Sequence, residues 1–542
     1  MSSENRSGDL DPENGVVTDG DARHASPPHD EARGKDDLGI RIGAVVVVAL
    51  LSFLALTFQD QATGVIQNLR TFVTRYFTWY FVLFATSVLI FVLAVGLGRH
   101  GDIRLGGKDA RPDYSRFAWY SMLFACGQGI GLIFWSVAEP ILLENDDPLE
   151  ALQPTTGGDG PLAWTYFHWG LTAWAIYCVV ALCIAYSVHN RKQAATFRGA
   201  CEDLFGIKSR RPAGIVIEFL AIIATVLGIS TSFGFASLQF TAGLGSVFGL
   251  DGTLGVKVAV IMVMGAVAAA SVYFGINRGM KIVSELNSIL SVLLVVGVAL
   301  FGPTLYLLHL LPQSFGAFIS RFVAMSAYTD PSVAASGIST WSDSWNGNWT
   351  VFIWCWCIAF SPFVASFIAT ISRGRTLREF VIGVIGIPTV IVMVWVGILG
   401  GMALHYDEES RGRITAAVGE DVSSGLFASL KLVPSAGWLL TCVATVLVST
   451  YFVTSLDSGV HALSTFVSMS ARPSGLFRVV LVTMIVVMSL LLLVLGGGRT
   501  LDTIQTGTII GALPFSFIIL MMMGNFVRRI RNDTREDGDP GR

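Results

Sequence analysis

The sequence predicts an all-α polytopic membrane protein of twelve transmembrane helices, and three observations lead there. Of its 542 residues, 53% are hydrophobic and only 14% charged, with mean hydropathy +0.62, a balance that excludes soluble folds. Twelve apolar runs reach the ~20 residues that a bilayer requires. The loops that join them alternate between basic and acidic. The seven cysteines (Cys126, Cys178, Cys183, Cys201, Cys355, Cys357 and Cys442) are an odd number in mostly apolar segments without metal spacing. They read as packing residues rather than disulfides or ligands.

In chain order, residues 1–38 are rich in Asp, Glu, Gly, Pro and Ser without apolar periodicity. A disordered, acidic cytoplasmic tail with no signal peptide is expected there. The membrane domain, 39–527, holds runs near 40–58, 78–98, 116–137, 163–187, 214–242, 255–274, 284–308, 350–372, 380–404, 436–457, 476–496 and 505–527, and a short basic cytoplasmic tail, 528–542, follows. Between the seventh and eighth runs, Leu311 to about Val333 mixes apolar and polar residues at helical spacing and is too interrupted to span. An amphipathic helix in the interface is expected.

Lys and Arg favour cytoplasmic loops. Arg99, Arg104, Lys108, Arg111 and Arg116 follow the second run, and Arg191, Lys192, Arg198, Lys208, Arg210 and Arg211 follow the fourth. Arg278 and Lys281, then Arg373, Arg375 and Arg378, then Arg472 and Arg478, and finally Arg528, Arg529 and Arg531 continue the alternation. The opposite loops run acidic, as in Glu144, Asp146, Asp147, Glu150 and Asp159. Both termini are therefore expected in the cytoplasm. The same basic loops suit topology and anionic lipid headgroups, with no sign of nucleic-acid binding.

Inside the third run the chain reads ACGQGIGLIFWSVAEP from Ala125 to Pro140. Gly127, Gly129 and Gly131 at alternate positions disfavour a regular helix. Broken backbone in lipid is tolerated only where protein buries it or a polar cavity takes it up, so the stretch can grip a solute or ion near the midplane. Alternatively, Gly127 and Gly131 form a small-xxx-small packing surface. Both readings stand at this point.

The fourth run carries FHWGLTAWAIY. At helical spacing Trp169, Trp174 and Tyr177 share an arc of about 140°, and the last two are too deep for an interfacial aromatic belt. Such a face binds a quaternary ammonium through its π-systems or serves as core packing. His168 beside it reads as a hydrogen-bonded packing histidine. In the eighth run, WTVFIWCWCIAFSPFVASFIATISRGRTLREF, Pro362 lacks a backbone donor and should interrupt the helix. Trp356, Cys357 and Phe360 fall within about 100° of one another there. Interrupted helices five apart point to two inverted repeats, spans 3–7 and 8–12, with a site between them.

Together, GQGIGLIFWSVAEP, FHWGLTAWAIY, SPFVASFIATISRGRTLREF and FVTSLDSG resemble the betaine/choline/carnitine transporter family in order, spacing and topology over about residues 40–527. The resemblance implies a LeuT-type 5+5 inverted repeat preceded by two N-terminal helices, commonly as a homotrimer in the cell membrane. It also implies transport of quaternary ammonium or sulfonium compounds, often osmoprotectants, mostly by sodium symport and without a further cofactor. By position, the family's aromatic box matches Trp169, Trp174 and Tyr177, with Trp354 and Trp356 in the eighth span. Phe134 and the backbone of Gly127, Gln128, Gly129 and Gly131 complete the expected solute site.

Cys357 and Phe360 stand where betaine carriers usually show Trp, which removes indole faces and predicts a roomier pocket with a weaker grip on trimethylammonium. Gln128 stands where Met is common, and its amide can bond a carboxylate or an ion. Gly131 is glycine where choline carriers tend to place Asp, which favours a zwitterion. By the same resemblance, sodium is expected at Ala125 and Gln128 by carbonyl and at Thr454 and Ser455 by hydroxyl. Without it, those hydroxyls would be read as bonding their own helix. A second sodium position maps to Thr225 and Ile229, of which only Thr225 offers a side-chain oxygen. The absence of Lys and Arg from Pro212 to Val256 favours sodium coupling over the arginine of sodium-independent exchangers. Glu139 reads as a cap or gate, and Asp457 as a structural acceptor.

The expectation is thus a secondary transporter that imports a glycine-betaine-like solute by alternating access. Proton coupling or exchange of a related solute such as carnitine, choline, ectoine or dimethylsulfoniopropionate is the alternative, and a passive channel lies further off. No Ser/His/Asp arrangement, HExxH or nucleotide motif points to an enzyme.

Overall fold

The structure, a computed structural model, describes residues 57–537 apart from short internal stretches (128, 151–152, 156, 194, 206–209, 275–276, 332–334, 336–343, 469–473 and 497–499), with isolated positions before 57. The acidic segment 1–38 and nearly all of the first apolar run lie outside the described residues. Among the described residues all regular structure is helical, with one isolated bridge between Arg104 and Thr376. Among the described residues, ten helical stretches are long and apolar enough to cross a membrane.

The second run is α1 (Gln59–Leu97). The third is broken at its glycines: α2 (Arg116–Gly127) stops, Gly129 is extended at φ −136° and ψ 169°, and α3 (Ile130–Leu143) restarts. A second break, which helical periodicity conceals, divides the fourth run at Gly170 into α4 (Asp159–Trp169) and α5 (Leu171–His189). A Cβ at Gly170 would stand 2.4 Å from the Tyr166 carbonyl oxygen, so only glycine fits the bend.

After α6 (Phe197–Cys201) come α7 (Arg210–Phe248), α8 (Leu254–Phe274) and α9 (Asn277–Phe301). The seventh run, expected to reach residue 308, ends at Phe301 because Gly302 and the donorless Pro303 halt it. The amphipathic segment therefore begins at Thr304 and forms α10 (Thr304–Ala327). Its stripe Leu307, Leu310, Ser314, Phe318, Arg321 and Met325 is buried, and Arg321 pairs with Asp147 at 2.7 Å. The outward face, with Leu308, Ile319 and Val323, is exposed and apolar.

The chain continues through α11 (Trp345–Asn348), α12 (Thr350–Ile371), α13 (Leu377–Glu409), α14 (Arg413–Glu420), α15 (Gly425–Leu430), α16 (Gly437–Ser468), α17 (Gly475–Gly496) and α18 (Thr500–Asp537). The interruption expected at Pro362 is absent, since α12 is one continuous element across it. Pro362 leaves the carbonyl of Ile358 without its helical donor, and the Ser361 hydroxyl takes that place at 2.7 Å.

The basic tail expected from 528 is likewise part of a helix, because α18 runs on to Asp537. Arg529 is only 2% exposed there. It donates to Asp203 at 2.6 Å, Ser187 at 2.6 Å, Gln193 at 2.6 Å and the Gly199 carbonyl at 3.0 Å, which is a nearly full set of acceptors for a buried guanidinium. Asp533 also engages Tyr186 and Arg191.

α12 packs along α5, α7 and α18, α16 lies against α7 and α9, and α3 lies against α13. α3 also contacts α7 and α16. On the arginine-rich side, the segment after α1 and the one after α12 join by backbone bonds: Leu105 to Arg375, Gly374 to Leu105, Leu377 to Ile103 and Arg378 to Gly101, at 2.8–2.9 Å. Arg375 stacks over Trp119 at 4.9 Å and pairs with Glu379 at 2.8 Å. Among the described cysteines, Cys178, Cys183, Cys201, Cys355 and Cys357 are buried free thiols and Cys442 is half-buried.

Candidate functional site

A cavity of about 280 Å³ lies where α3, α5, α7, α9, α12 and α16 meet. Six of the residues expected on helical faces, Trp169, Trp174, Tyr177, Trp356, Cys357 and Phe360, line it together with Gly129 and Gly131. Trp169 lies before the Gly170 bend, and Trp174 and Tyr177 after it, so the bend turns both parts of the fourth span toward one space. No charged side chain is among the described lining residues.

The aromatic end is built by two indoles. Trp169 and Trp356 meet edge to face, with ring centroids 5.5 Å apart and planes at 84°. Their six-membered rings converge on Gly131: a Cβ there would stand 2.8 Å from Cη2 of Trp356 and 3.1 Å from Cη2 of Trp169. The same glycine that loosens the helix thus leaves the space that the rings occupy. Each indole is fixed by its N–H. Trp356 donates to the Ser232 hydroxyl at 3.0 Å, and Trp169 donates to Oε2 of Glu139 at 2.7 Å. Trp174 and Tyr177 pack edge to face at 5.4 Å, and the Tyr177 side chain bonds the thiol of Cys357.

Glu139 does not cap a helix end. It lies within α3, fully buried, and its Oε1 is 2.6 Å from Nδ1 of an equally buried His168. Nε2 of His168 meets Oγ1 of Thr350 at 3.0 Å, so the histidine is a hydrogen-bonded packing residue. Phe134 does not reach the cavity; it stacks behind the wall on Phe235 at 4.9 Å. Trp354 is buried against Phe167 at 5.4 Å, on the other face of α12.

The other end carries hydroxyls and one amide: Ser284, Asn287 and Ser288 from α9, and Tyr451, Thr454, Ser455 and Ser458 from α16. Thr454 donates to its own helix at the Thr450 carbonyl, 3.0 Å, and accepts from Nδ2 of Asn287, also 3.0 Å. Tyr451 and Ser291 bond at 3.0 Å. Ser455 faces the cavity and also a small void shared with Ile130, Ile229, Ser232 and Phe360. Thr225 is buried apart from the cavity, its hydroxyl on the Ala221 carbonyl at 2.6 Å. Gln128 lies outside the described residues, and Ala125 and Gly127 fall in the last turn of α2, where side chains are not described. Asp457 accepts from Ser271 at 3.1 Å.

The lining also gives the cavity a direction. On α12 it runs from Trp356 to Phe367, toward the end that joins the arginine-rich side, and Ser284, Ser458 and Phe367 are exposed. Toward the opposite side, Trp135, Phe352 and Trp349 pack ring on ring. Beyond that plug the carboxyls of Glu144 and Asp146 are pushed above their ordinary range, Glu144 by burial and then by Asp407 and Glu408, Asp146 by burial against the opposing pull of a hydrogen bond with Trp349.

Two of the site's supports have no signal in the sequence. Ser232 is one of several serines on α7, and the anchoring of Trp169 by Glu139 joins residues thirty positions apart. Only the cost of burying a carboxylate in an apolar helix marked Glu139 as functional.

A sequence profile described as "BCCT, betaine/carnitine/choline family transporter" matches residues 40–535. The chain is 36% identical over 490 residues to "Glycine betaine transporter 1" of Vibrio parahaemolyticus, covering 89% of this chain and 91% of that one. It is 33% identical over 487 residues to "Ectoine/hydroxyectoine transporter" of Virgibacillus pantothenticus, covering 89% and 94%. To "High-affinity choline transport protein" of Escherichia coli (strain K12) it is 31% identical over 493 residues, covering 90% and 71%. These relatives are transporters and not enzymes.

Proposed function

The chain belongs to the betaine/carnitine/choline family of transporters, and from that premise we propose that it imports a small zwitterionic or quaternary-ammonium osmolyte by sodium symport. It is an integral membrane protein, and the reading places it in the plasma membrane with both termini cytoplasmic, on the side of the arginine-rich loops. Its architecture in this reading is twelve helices, the last ten forming two inverted five-helix repeats of LeuT type. The apolar outer face of α10 suits a homotrimer in lipid.

One observation carries the solute class: two indoles converge on Gly131 at the aromatic end of a cavity whose described lining holds no charged side chain. A trimethylammonium or similar head has no N–H to donate, so it gains more from π faces than from a carboxylate in the wall. Cys357 and Phe360 widen the box, consistent with a zwitterion bulkier than a methylated amine. The cavity's opening toward the arginine-rich side and the ring-on-ring plug at the other suit the inward-open member of an alternating-access cycle.

Sodium is assigned to the hydroxyl end, with Thr454 and Ser455 and the backbone of Ala125 and Gln128 as ligands. Asn287 donates to the Thr454 hydroxyl oxygen at 3.0 Å, which leaves that oxygen a second lone pair for an ion and ties α9 to the ion's ligand. Thr225 is a weaker candidate, because it is buried apart from the cavity that Thr454 and Ser455 line. Proton coupling or exchange is the second reading, favoured by the buried Glu139–His168 pair.

The test is uptake of radiolabelled glycine betaine into proteoliposomes under an inward sodium gradient and with potassium in its place. Carnitine, choline, ectoine and dimethylsulfoniopropionate are added as competitors. Accumulation above the external concentration that requires sodium is expected. Uptake that merely equilibrates would indicate a channel, and accumulation that follows a proton gradient without sodium would replace the symport reading.

A further inference from the structure

The lining of the cavity holds no formal charge among the described residues, yet one of its two converging indoles is tied to a buried carboxylate and the other to a neutral hydroxyl. We propose that Glu139 is the positioning residue of the site and supplies its negative potential, acting on the solute's cationic head through Trp169. The inference rests on the reading of this cavity as the solute site.

Glu139 and His168 are both fully buried. A hydrogen-bond assignment exists in which every group has its complement: Thr350 O–H donates to Nε2 of His168, Nδ1–H donates to Oε1 of Glu139, and Trp169 N–H donates to Oε2. In that assignment the imidazole is neutral and the cluster carries one negative charge. A charge-assisted bond is shorter and stronger than a neutral one.

Orientation makes the charge useful. The pyrrole N–H of Trp169 points back to Glu139, while its Cη2 and Cζ3 face Gly131 and the cavity. Donation to a carboxylate raises the electron density of the indole, and a denser ring attracts a cation more strongly. The carboxylate itself never touches the solute, so it needs no desolvation on binding and offers no competing salt bridge to the solute's carboxylate. It also fixes the plane of the ring, because rotating Trp169 would strand a buried acceptor.

The experiment compares glycine betaine with 3,3-dimethylbutanoate, which has the same shape with carbon in place of the charged nitrogen. Both are titrated by tryptophan fluorescence on the purified full-length protein and on the Glu139→Gln, Glu139→Asp and Trp174→Ala variants. Glu139→Gln should weaken betaine about tenfold relative to the analogue, which keeps the carboxylate and lacks only the cationic nitrogen. Glu139→Asp, which keeps the charge and withdraws it by one methylene, should weaken both ligands together and leave their ratio near wild type. Equal weakening of both ligands in Glu139→Gln would mean a structural role only and overturn the proposal. Should Glu139→Gln fail to fold, a changed ratio in Glu139→Asp would overturn it as well. If Trp174→Ala leaves betaine binding intact, the cavity itself is misassigned. If Trp174→Ala abolishes binding while Glu139→Gln leaves the ratio unchanged, only the role of Glu139 fails.

Discussion

The two ends of the cavity are built on opposite plans. At the aromatic end each indole has its one polar atom fixed, Trp169 by Glu139 and Trp356 by Ser232, and the rings close on a glycine that leaves them no slack. At the hydroxyl end Ser284 and Ser458 are exposed, and the bonds from α9 to α16 that reach the cavity are Asn287–Thr454 and Ser291–Tyr451. The first end recognises shape and charge in a preset frame. The second can loosen without disturbing it, which is what an ion that must enter and leave requires.

The sharpest way to break this contrast is Gly131→Val. Its side chain would meet both indoles, so uptake should fall roughly 100-fold while size-exclusion behaviour and helical content persist. Normal uptake would show that the rings yield. Trp356→Ala should raise the betaine concentration for half-maximal uptake by about 30-fold, the loss of a desolvated cation–π face, with sodium dependence unchanged. Ser455→Ala tests the opposite end: the sodium concentration for half-maximal uptake should rise about fivefold, with betaine affinity at saturating sodium near wild type. A shift in betaine affinity alone would merge the two ends into one. The smallest effect belongs to Ser232→Ala, where loss of one neutral hydrogen bond should raise the betaine half-saturation about threefold. Its comparison with Glu139→Gln then measures what the charged anchor adds.

Helical spacing made much of this legible. Trp174 with Tyr177, and Trp356 with Cys357 and Phe360, share faces that follow from a period of 3.6, and those faces line the cavity together with Trp169 from before the Gly170 bend. Phe134 and Trp354 were beyond the same rule, because which of two apolar faces meets the cavity depends on neighbouring helices. The break at three closely spaced glycines is a local cost that composition reveals. The bend at Gly170 rests on one glycine among many, and α12 runs on through Pro362, as α13 does through Pro388, because packing on both sides holds a helix that proline alone would weaken. The docking of Arg529 escaped notice for a similar reason, since a basic terminal segment reads as solvated until its acceptors, far away in the chain, are known.

The backbone buckle between the segments 101–105 and 374–378 has a practical consequence. Four main-chain hydrogen bonds hold the end of α1 and the start of α13 in register, and sliding them by even one residue would break all four. Whatever parts of the protein travel during transport, these two travel together. A pair of spectroscopic probes at Ile103 and Leu377 should therefore report one separation in every state. Such a pair would serve as the fiducial mark against which displacements of α3, α9 and α16 can be read.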